Sequence, residues 1–176
     1  MGSTIRRLER SDVRADFACG AAVQDRFIRE FAWQNQERYR LDVTYVAVDG
    51  RTRVVMGYVT LVAAELSPDL RGRVPVPASF RGRIPTLRIG CIAVDRRFQG
   101  RGLGRELLIH AMRIAVIQAG LSGCAGIVLD AYPDVVPFYE RHRFERAGLI
   151  EGQSGVRPRL IPMFLALSDI LDALGP

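Results

Sequence analysis

The sequence predicts a single α/β domain over residues 1–176, a mixed central β-sheet flanked by helices, and three observations carry that prediction. Residues 43–48 and 54–65 have strand patterning on either side of the turn signal Asp49-Gly50, which makes them an antiparallel pair. The apolar run at residues 87–94 passes through the glycine-rich stretch DRRFQGRGLG into an unbroken helical pattern, RELLIHAMRIAVIQAG. Residues 126–131, GIVLDA, are apolar without alternation, as in a strand buried on both faces. A strand, helix, strand crossover makes residues 87–94 and 126–131 parallel neighbours.

The remaining elements follow in order. Residues 4–8 read as a short edge strand, after which Ser11-Asp12 supplies a helix cap. A helix over about 22–39 carries Val23, Phe27, Ile28 and Phe31 at helical spacing, an apolar stripe read as packing. From 67 to 85, Pro68, Pro75, Pro77 and Pro85 and arginines spaced by glycine break every periodicity. This segment is expected to be a long surface loop, a basic flap suited to a charged acceptor. In the main helix, Leu103, Leu107, Ala111, Ile114 and Ala115 trace the buried face, ending near Gly120. Pro133-Asp134 opens another helix, with Pro137 tolerated in its first turn. Residues 149–158 are loop-like, and 160–167 form a last strand in which Pro162 implies an edge or a bulge. No internal repeat or linker divides the chain.

Composition narrows the function. No apolar run approaches the roughly 18 residues a membrane span needs, and the Arg-rich start lacks the apolar core of a signal peptide, so a cytoplasmic protein is expected. Cys19, Cys91 and Cys124 are too widely spaced for a zinc site, and no metal is expected. Cys91, within a strand, is read as a small buried side chain rather than a nucleophile. With only His110 and His142, a nucleophile triad has no base to spare. All 25 basic residues are arginine and they exceed the acids by six. That excess fits a polyanionic partner or genomic base composition equally well.

The turn after residue 94 is the chemical centre of the chain. A strand feeding a glycine-rich turn into a helix start presents unpaired N–H groups and the positive end of the helix dipole to an anion. Gly100, Gly102 and Gly104 let a pyrophosphate approach the backbone, and Arg97, Arg101 and Arg105 add guanidinium forks. A dinucleotide fingerprint would need glycine where Arg105 stands, and a Walker loop needs a lysine this chain lacks. What Gln99-Gly100-Arg101-Gly102-Leu103-Gly104 resembles is the Gln/Arg-x-x-Gly-x-Gly/Ala motif of the GNAT N-acetyltransferase superfamily. That resemblance implies acetyl-CoA as co-substrate, bound by Ile92, Ala93, Val94, Arg97, Gln99, Gly100, Arg101, Gly102, Leu103, Gly104 and Arg105, with Asp130 and Phe138 also in its site.

Acetyl transfer from a thioester asks little of side chains: the donor is already activated, and one acid to protonate the leaving thiolate suffices. Phe138-Tyr139-Glu140-Arg141-His142-Arg143-Phe144 resembles the Phe-Tyr-Glu-x-x-x-Phe segment of GNAT enzymes, with Arg143 at the family's glycine. The resemblance makes Tyr139 the general acid, and its place in the first turns of a helix would favour developing negative charge. The structural alternative is a tyrosine packed under the sheet, its hydroxyl bonded to backbone.

The whole chain, moreover, resembles the GNAT toxins of bacterial type II toxin–antitoxin systems, which acetylate aminoacyl-tRNA and stop translation. The matching stretches are Phe17-Ala18-Cys19-Gly20, Phe31-Ala32-Trp33-Gln34-Asn35-Gln36, Gly57-Tyr58-Val59-Thr60-Leu61, Ala93-Val94-Asp95-Arg96-Arg97-Phe98-Gln99-Gly100 and Leu129-Asp130-Ala131. This implies an aminoacyl-tRNA acceptor, a cognate antitoxin protein and a homodimer. Physical chemistry agrees on the acceptor: lysine, with a pKa near about 10.4, needs a base, whereas an α-amino group near about 7.7–8.0 is partly neutral already. Residues 87–94 carry no carboxylate, and Glu65 and Asp95 are the acids near their ends. Arginines of the 71–83 segment and of 141–146 are candidate phosphate contacts. Two other readings stay open at this point, a GNAT enzyme acting on a small amine or protein N-terminus, and a non-catalytic acyl-CoA-binding module.

Overall fold

In the computed structural model, residues 3–147 and 160–175 are described, so the loop expected at 149–158 lies outside them. Seven strands form one sheet: β1 (Ser3–Arg7), β2 (Val43–Asp49), β3 (Val55–Glu65), β4 (Pro85–Val94), β5 (Gly126–Ala131), β6 (Glu145–Arg146) and β7 (Ile161–Ala166). Their order is β1-β2-β3-β4-β5-β7-β6, so β4 and β5 are neighbours, as the crossover between them requires. The β1/β2, β2/β3, β5/β7 and β6/β7 pairs are antiparallel. Five α-helical segments accompany them: α1 (Ala22–Arg26), α2 (Ala32–Gln34), α3 (Leu103–Ser122), α4 (Val136–Glu140) and α5 (Leu167–Leu174).

The chain gathers into two compact units, one of Met1–Val62 with Ile89–Ala111, the other of Ala63–Arg88 with Met112–Pro176. The first packs Leu8, Phe17, Ile28, Ala32, Val46, Val48, Val55, Tyr58 and Ala93 into a core. Its β2–β3 hairpin is longer than a two-residue turn. Asp49 Oδ1 accepts from the N–H groups of Arg51 and Thr52, and Arg53 takes a left-handed φ of 58° to close it.

The helical run over 22–39 forms, and of its expected stripe Ile28 and Phe27 pack against the core while Val23 and Phe31 do not. Two π-helical turns, Phe27–Phe31 and Asn35–Tyr39, alternate with α1 and α2. Wider turns lengthen the repeat, so the buried positions fall four apart, at Ile28, Ala32 and Gln36, while Val23 is 77% exposed and Phe31 41%. Gln36 is satisfied in the interior: its amide donates to Leu8 O (3.0 Å) and accepts from Thr44 N (3.1 Å).

The predicted cap at Ser11-Asp12 opens no helix. Asp12 is buried and its carboxylate is taken by Arg6 (2.6 and 2.9 Å), the Glu9 N–H (2.8 Å) and, from far along the chain, Arg53 (3.1 Å). Burial alone would raise its pKa, but the Arg6 and Glu9 hydrogen bonds and the Arg53 charge together hold it below the ordinary 3.8. The stability it contributes is therefore fully present above about pH 4 and lost as pH falls through its folded-state pKa. Asp12→Asn is expected to cost about 2 kcal/mol at neutral pH. Chemical denaturation at pH 7 and pH 3 checks both, since the difference between wild type and variant must shrink on acidification.

The second unit corrects the flap expected at 67–85. Pro68–Arg73 is a 3-10 helix, and Leu66, Leu70 and Ile84 are buried with Val128, Ala147 and Phe164. Apolar residues at both ends anchor the segment, and Arg71 ties its middle to the 3-10 helix by donating to the carbonyls of Phe80 (3.1 Å) and Gly82 (2.7 Å), while residues 77–83 stay on the surface as expected. The last strand is likewise not an edge: β7 lies between β5 and the two-residue β6. Pro162 is tolerated because β6 pairs with β7 only at Met163 and Phe164, leaving the missing N–H beyond its end. The helix α5 had a readable signal, Leu167, Ile170, Leu171 and Leu174 at helical spacing, of which Ile170 is fully buried.

Candidate active site

The first unit holds one group of predicted residues: Ile92, Ala93 and Val94 at the end of β4, then Arg97, Gln99, Gly100, Arg101 and Gly102, then Leu103, Gly104 and Arg105 opening α3. Asp95 organises the turn between them. Fully buried, it caps the 3-10 turn Arg96–Phe98 by accepting from Arg97 N (2.9 Å). It also takes the Arg97 guanidinium in a two-point fork (2.8 and 2.9 Å) and the Ala18 N–H (3.1 Å). Burial pushes its pKa up, yet the Arg97 fork and the two N–H bonds outweigh burial and hold it below the ordinary value. Asp95 is thus a structural anion, committed to its fork.

Gln99 tightens the same turn from the other side, donating to the carbonyls of Cys19 (3.0 Å) and Val94 (2.8 Å). Beyond it, Gly100 and Gly102 have φ of +74° and +83°, and a Cβ built on either would meet nothing of the protein within 4 Å. These glycines are required by backbone conformation and leave open space over the turn. Arg97 and Arg101 both lie against the Phe98 ring, 5.7 and 5.8 Å from its centroid. At Gly57 on β3, a Cβ would press on Leu103 and Leu107 side chains and on Ala93 O at 3.0–3.3 Å, so this glycine allows α3 to seat closely. A glycine cradle with open space, flanking guanidiniums and the first N–H groups of a 20-residue helix fits a pyrophosphate-bearing ligand.

The two half-buried thiols nearby are inert. Cys91 shares a hydrogen bond with the Tyr58 hydroxyl (3.0 Å), which itself donates to Gln24 O (2.8 Å), and burial raises Cys91 to about 12 and Cys19 to about 11. Neither is a thiolate at neutral pH, in line with the reading of Cys91 as a packing residue.

The other predicted residues, Asp130, Phe138 and Tyr139, belong to the second unit. After β5 the chain makes a 3-10 turn, Pro133–Val135, and then α4, with Pro137 in its first turn as expected. Tyr139 is 5% exposed, its ring edge-on to Phe138 at 5.1 Å and to Phe144 at 5.5 Å. Tyr139 is the fourth residue of the five-residue helix, within its first turns as expected. The chain then turns back on Tyr139 itself, whose carbonyl accepts from His142 N (2.8 Å) and Phe144 N (3.1 Å). Arg143 sits in this turn with φ +66°, the conformation a glycine would adopt freely, so the turn keeps its geometry without the glycine.

Asp130 bonds Arg88 of β4 at 2.6 Å on the wall of a cleft that Leu70, Leu129 and Met163 also line. Arg88 escaped the sequence reading, although charges at interior positions of two strands needed each other. Glu65, the other acid considered near β4, pairs with Arg83 at 2.9 Å. Among the described residues no group of His, Cys, Asp and Glu could hold a metal ion. No described helix is long and apolar enough to cross a membrane.

A family profile for the acetyltransferase (GNAT) domain matches residues 40–146, a span containing β4, the glycine turn and Tyr139. The chain belongs to the GNAT acetyltransferase family. This GNAT chain is 30% identical over 145 residues to a tRNA-acetylating toxin of Mycobacterium tuberculosis (strain ATCC 25618 / H37Rv), covering 81% of this chain and 84% of that protein. Among solved structures, a bacterial toxin at 25% identity superposes with a TM-score of 0.82 over 98% of this chain and 96% of the other. The toxin AtaT in complex with acetyl-methionyl-tRNAfMet, 22% identical, gives 0.81 over 99% and 100%. At that identity the likeness speaks for the fold, and it places the seven-stranded mixed sheet described above in the GNAT class.

Proposed function

We propose that the protein transfers the acetyl group of acetyl-CoA to the α-amino group of an aminoacyl-tRNA and so blocks translation. The observation that carries this reading is the state of the acids beside β4. Asp95 is buried in its fork with Arg97, Asp130 is bonded to Arg88 and Glu65 is paired with Arg83, so each has a cationic partner rather than a free place beside an acceptor. An acceptor amine that is already partly neutral at pH 7 needs no base. The similarity to a tRNA-acetylating toxin over most of the chain supports the same acceptor.

In this reading, N–H groups of the β4 end and of the turn 97–105 hold the co-substrate, whose thioester supplies an activated acetyl group. Tyr139 gives its hydroxyl proton to the departing sulfur as the amine nitrogen bonds the carbonyl carbon and the C–S bond breaks; the amine's surplus proton goes to water. By family resemblance an antitoxin covers the site, the protein forms a homodimer, and its place of action is the cytoplasm. The structural relatives include AtaT bound to the C-terminus of the antitoxin AtaR.

Incubating the protein with labelled acetyl-CoA and total aminoacyl-tRNA tests the proposal. Label must enter the aminoacyl group; acetyl-CoA binding without any modified aminoacyl-tRNA would redirect the search to small amines and protein N-termini. For the cradle, Gly102→Ala adds a methyl group where the ligand phosphates would lie, and the left-handed φ disfavours it too. It is expected to raise KM for acetyl-CoA about tenfold or more through lost charge-assisted hydrogen bonds, with KM for the acceptor unchanged.

A further inference from the structure

Among the described residues three that are not glycine adopt left-handed backbone conformations, and all are arginine: Arg40, Arg53 and Arg143. Such a φ costs an L-residue free energy that glycine avoids. For Arg53 the compensation is visible in its bonds to buried Asp12 (3.1 Å) and to Glu9. Arg40 closes the helical run 22–39, where a left-handed residue is routine. Arg143 has neither excuse. Its backbone N–H bonds Glu140 O (3.0 Å), a contact glycine would make equally well, and its exposed side chain has no acid partner among the described residues.

Its neighbours in the second unit sharpen the contrast. Arg73, Arg83, Arg88 and Arg146 are each paired, with Glu145, Glu65, Asp130 and Glu140 respectively. Arg81 donates to the carbonyls of Ala78 and Phe80, as Arg71 does to those of Phe80 and Gly82. Among the described residues Arg141 and Arg143, like Arg113 on α3, are exposed and bond no acid or carbonyl, and the two lie two residues apart in the turn hung from the Tyr139 carbonyl. That turn fixes the backbone of Arg141 and Arg143 two and four residues after Tyr139, within reach of an acceptor held there.

We propose that Arg143, with Arg141, grips a backbone phosphate of the RNA acceptor next to the reacting end, and that Arg143 is retained in a glycine conformation for its side chain. The inference rests on the aminoacyl-tRNA reading of the site. Guanidinium forks match phosphate oxygens in two-point geometry, and an unpaired cation has no internal bond to break before it binds. It also divides the arginines proposed above as phosphate contacts: those already paired with acids contribute less to the salt dependence than these two.

The test compares Arg143→Gly, Arg143→Asn and Arg143→Lys for binding of uncharged tRNA across a salt series, for acetylation kinetics with aminoacyl-tRNA, and for Tm. Glycine and asparagine both accept a left-handed φ, so neither endangers the fold. The expected result is that Gly and Asn weaken tRNA binding about tenfold and flatten the slope of log K against log salt by about 1. KM for acetyl-CoA stays put, Tm does not fall, and Lys restores the slope. A raised Tm with unchanged tRNA binding and slope would overturn the proposal, leaving Arg143 a tolerated strain. If the wild type binds tRNA with the expected slopes but acetylates no aminoacyl-tRNA, the acceptor reading fails instead, while the phosphate contact stands.

Discussion

Tyr139→Phe is expected to lower kcat for acetyl transfer by about 10²–10⁴-fold, the usual contribution of one general acid, while KM for acetyl-CoA stays unchanged. The substitution removes one oxygen from a side chain whose ring lies between Phe138 and Phe144 and is 5% exposed. Phenylalanine fills the same volume in the same aromatic contacts, so the second unit keeps its packing. That separates chemistry from structure. A tyrosine serving only as a buried packing residue would show its loss in Tm, by about 1 kcal/mol for the hydrogen bond given up, with turnover intact. A general acid shows a collapsed kcat whatever the shift in Tm. The measurement is single-turnover transfer of labelled acetyl to aminoacyl-tRNA, beside thermal unfolding of both proteins. Retained kcat in the variant would end the role of Tyr139 as acid.

How much of this was legible beforehand depended on whether the deciding interaction was local. The glycine turn was readable because its physics is local: Gly100 and Gly102 require positive φ, and the strand before and helix after are each periodic. The same holds for Pro137 in the first turn of α4, and for the unalternating β5. Asp12 was misread because its partners, Arg6 and Arg53, are brought to it by the β1–β2–β3 meander, which no local pattern announces. The stripe on 22–39 failed at Val23 and Phe31 for a different reason. A 3.6-residue repeat was assumed, and two π-turns changed the period, exposing Val23 and Phe31 and burying Gln36. Arg88 and Asp130 stand between these cases, since each is a charge within a strand and only the adjacency of β4 and β5 pairs them.

Gly126→Ala is expected to be the most destabilising glycine-to-alanine change among the described residues, costing about 4 kcal/mol. Gly126 is the first residue of β5, pairs with Ala166 of β7, and has φ +153°. A Cβ there would stand 2.2 Å from Leu165 O, 2.9 Å from Phe164 Cε2 and 3.1 Å from Ala166 Cα. Two of these three are backbone atoms of a strand held on both sides, by β5 and by β6, so no rotamer change relieves the collision. Either β7 moves away, breaking the ladder where it starts, or β5 slips, which would turn buried Ile127 and Leu129 from their places. For a chain of this size about 1 kcal/mol moves Tm by about 2–4 °C, so the variant should melt about 8–16 °C below wild type. Gly120→Ala is the matched control: Gly120 lies within α3 with nothing inside 4 Å of the added methyl, so alanine should stabilise by about 0.5–1 kcal/mol. Equal melting of the two variants would mean that β5 and β7 are not pressed together at Gly126. Their opposite signs would tie the rigidity of the strand leading to Tyr139 to the absence of one methyl group.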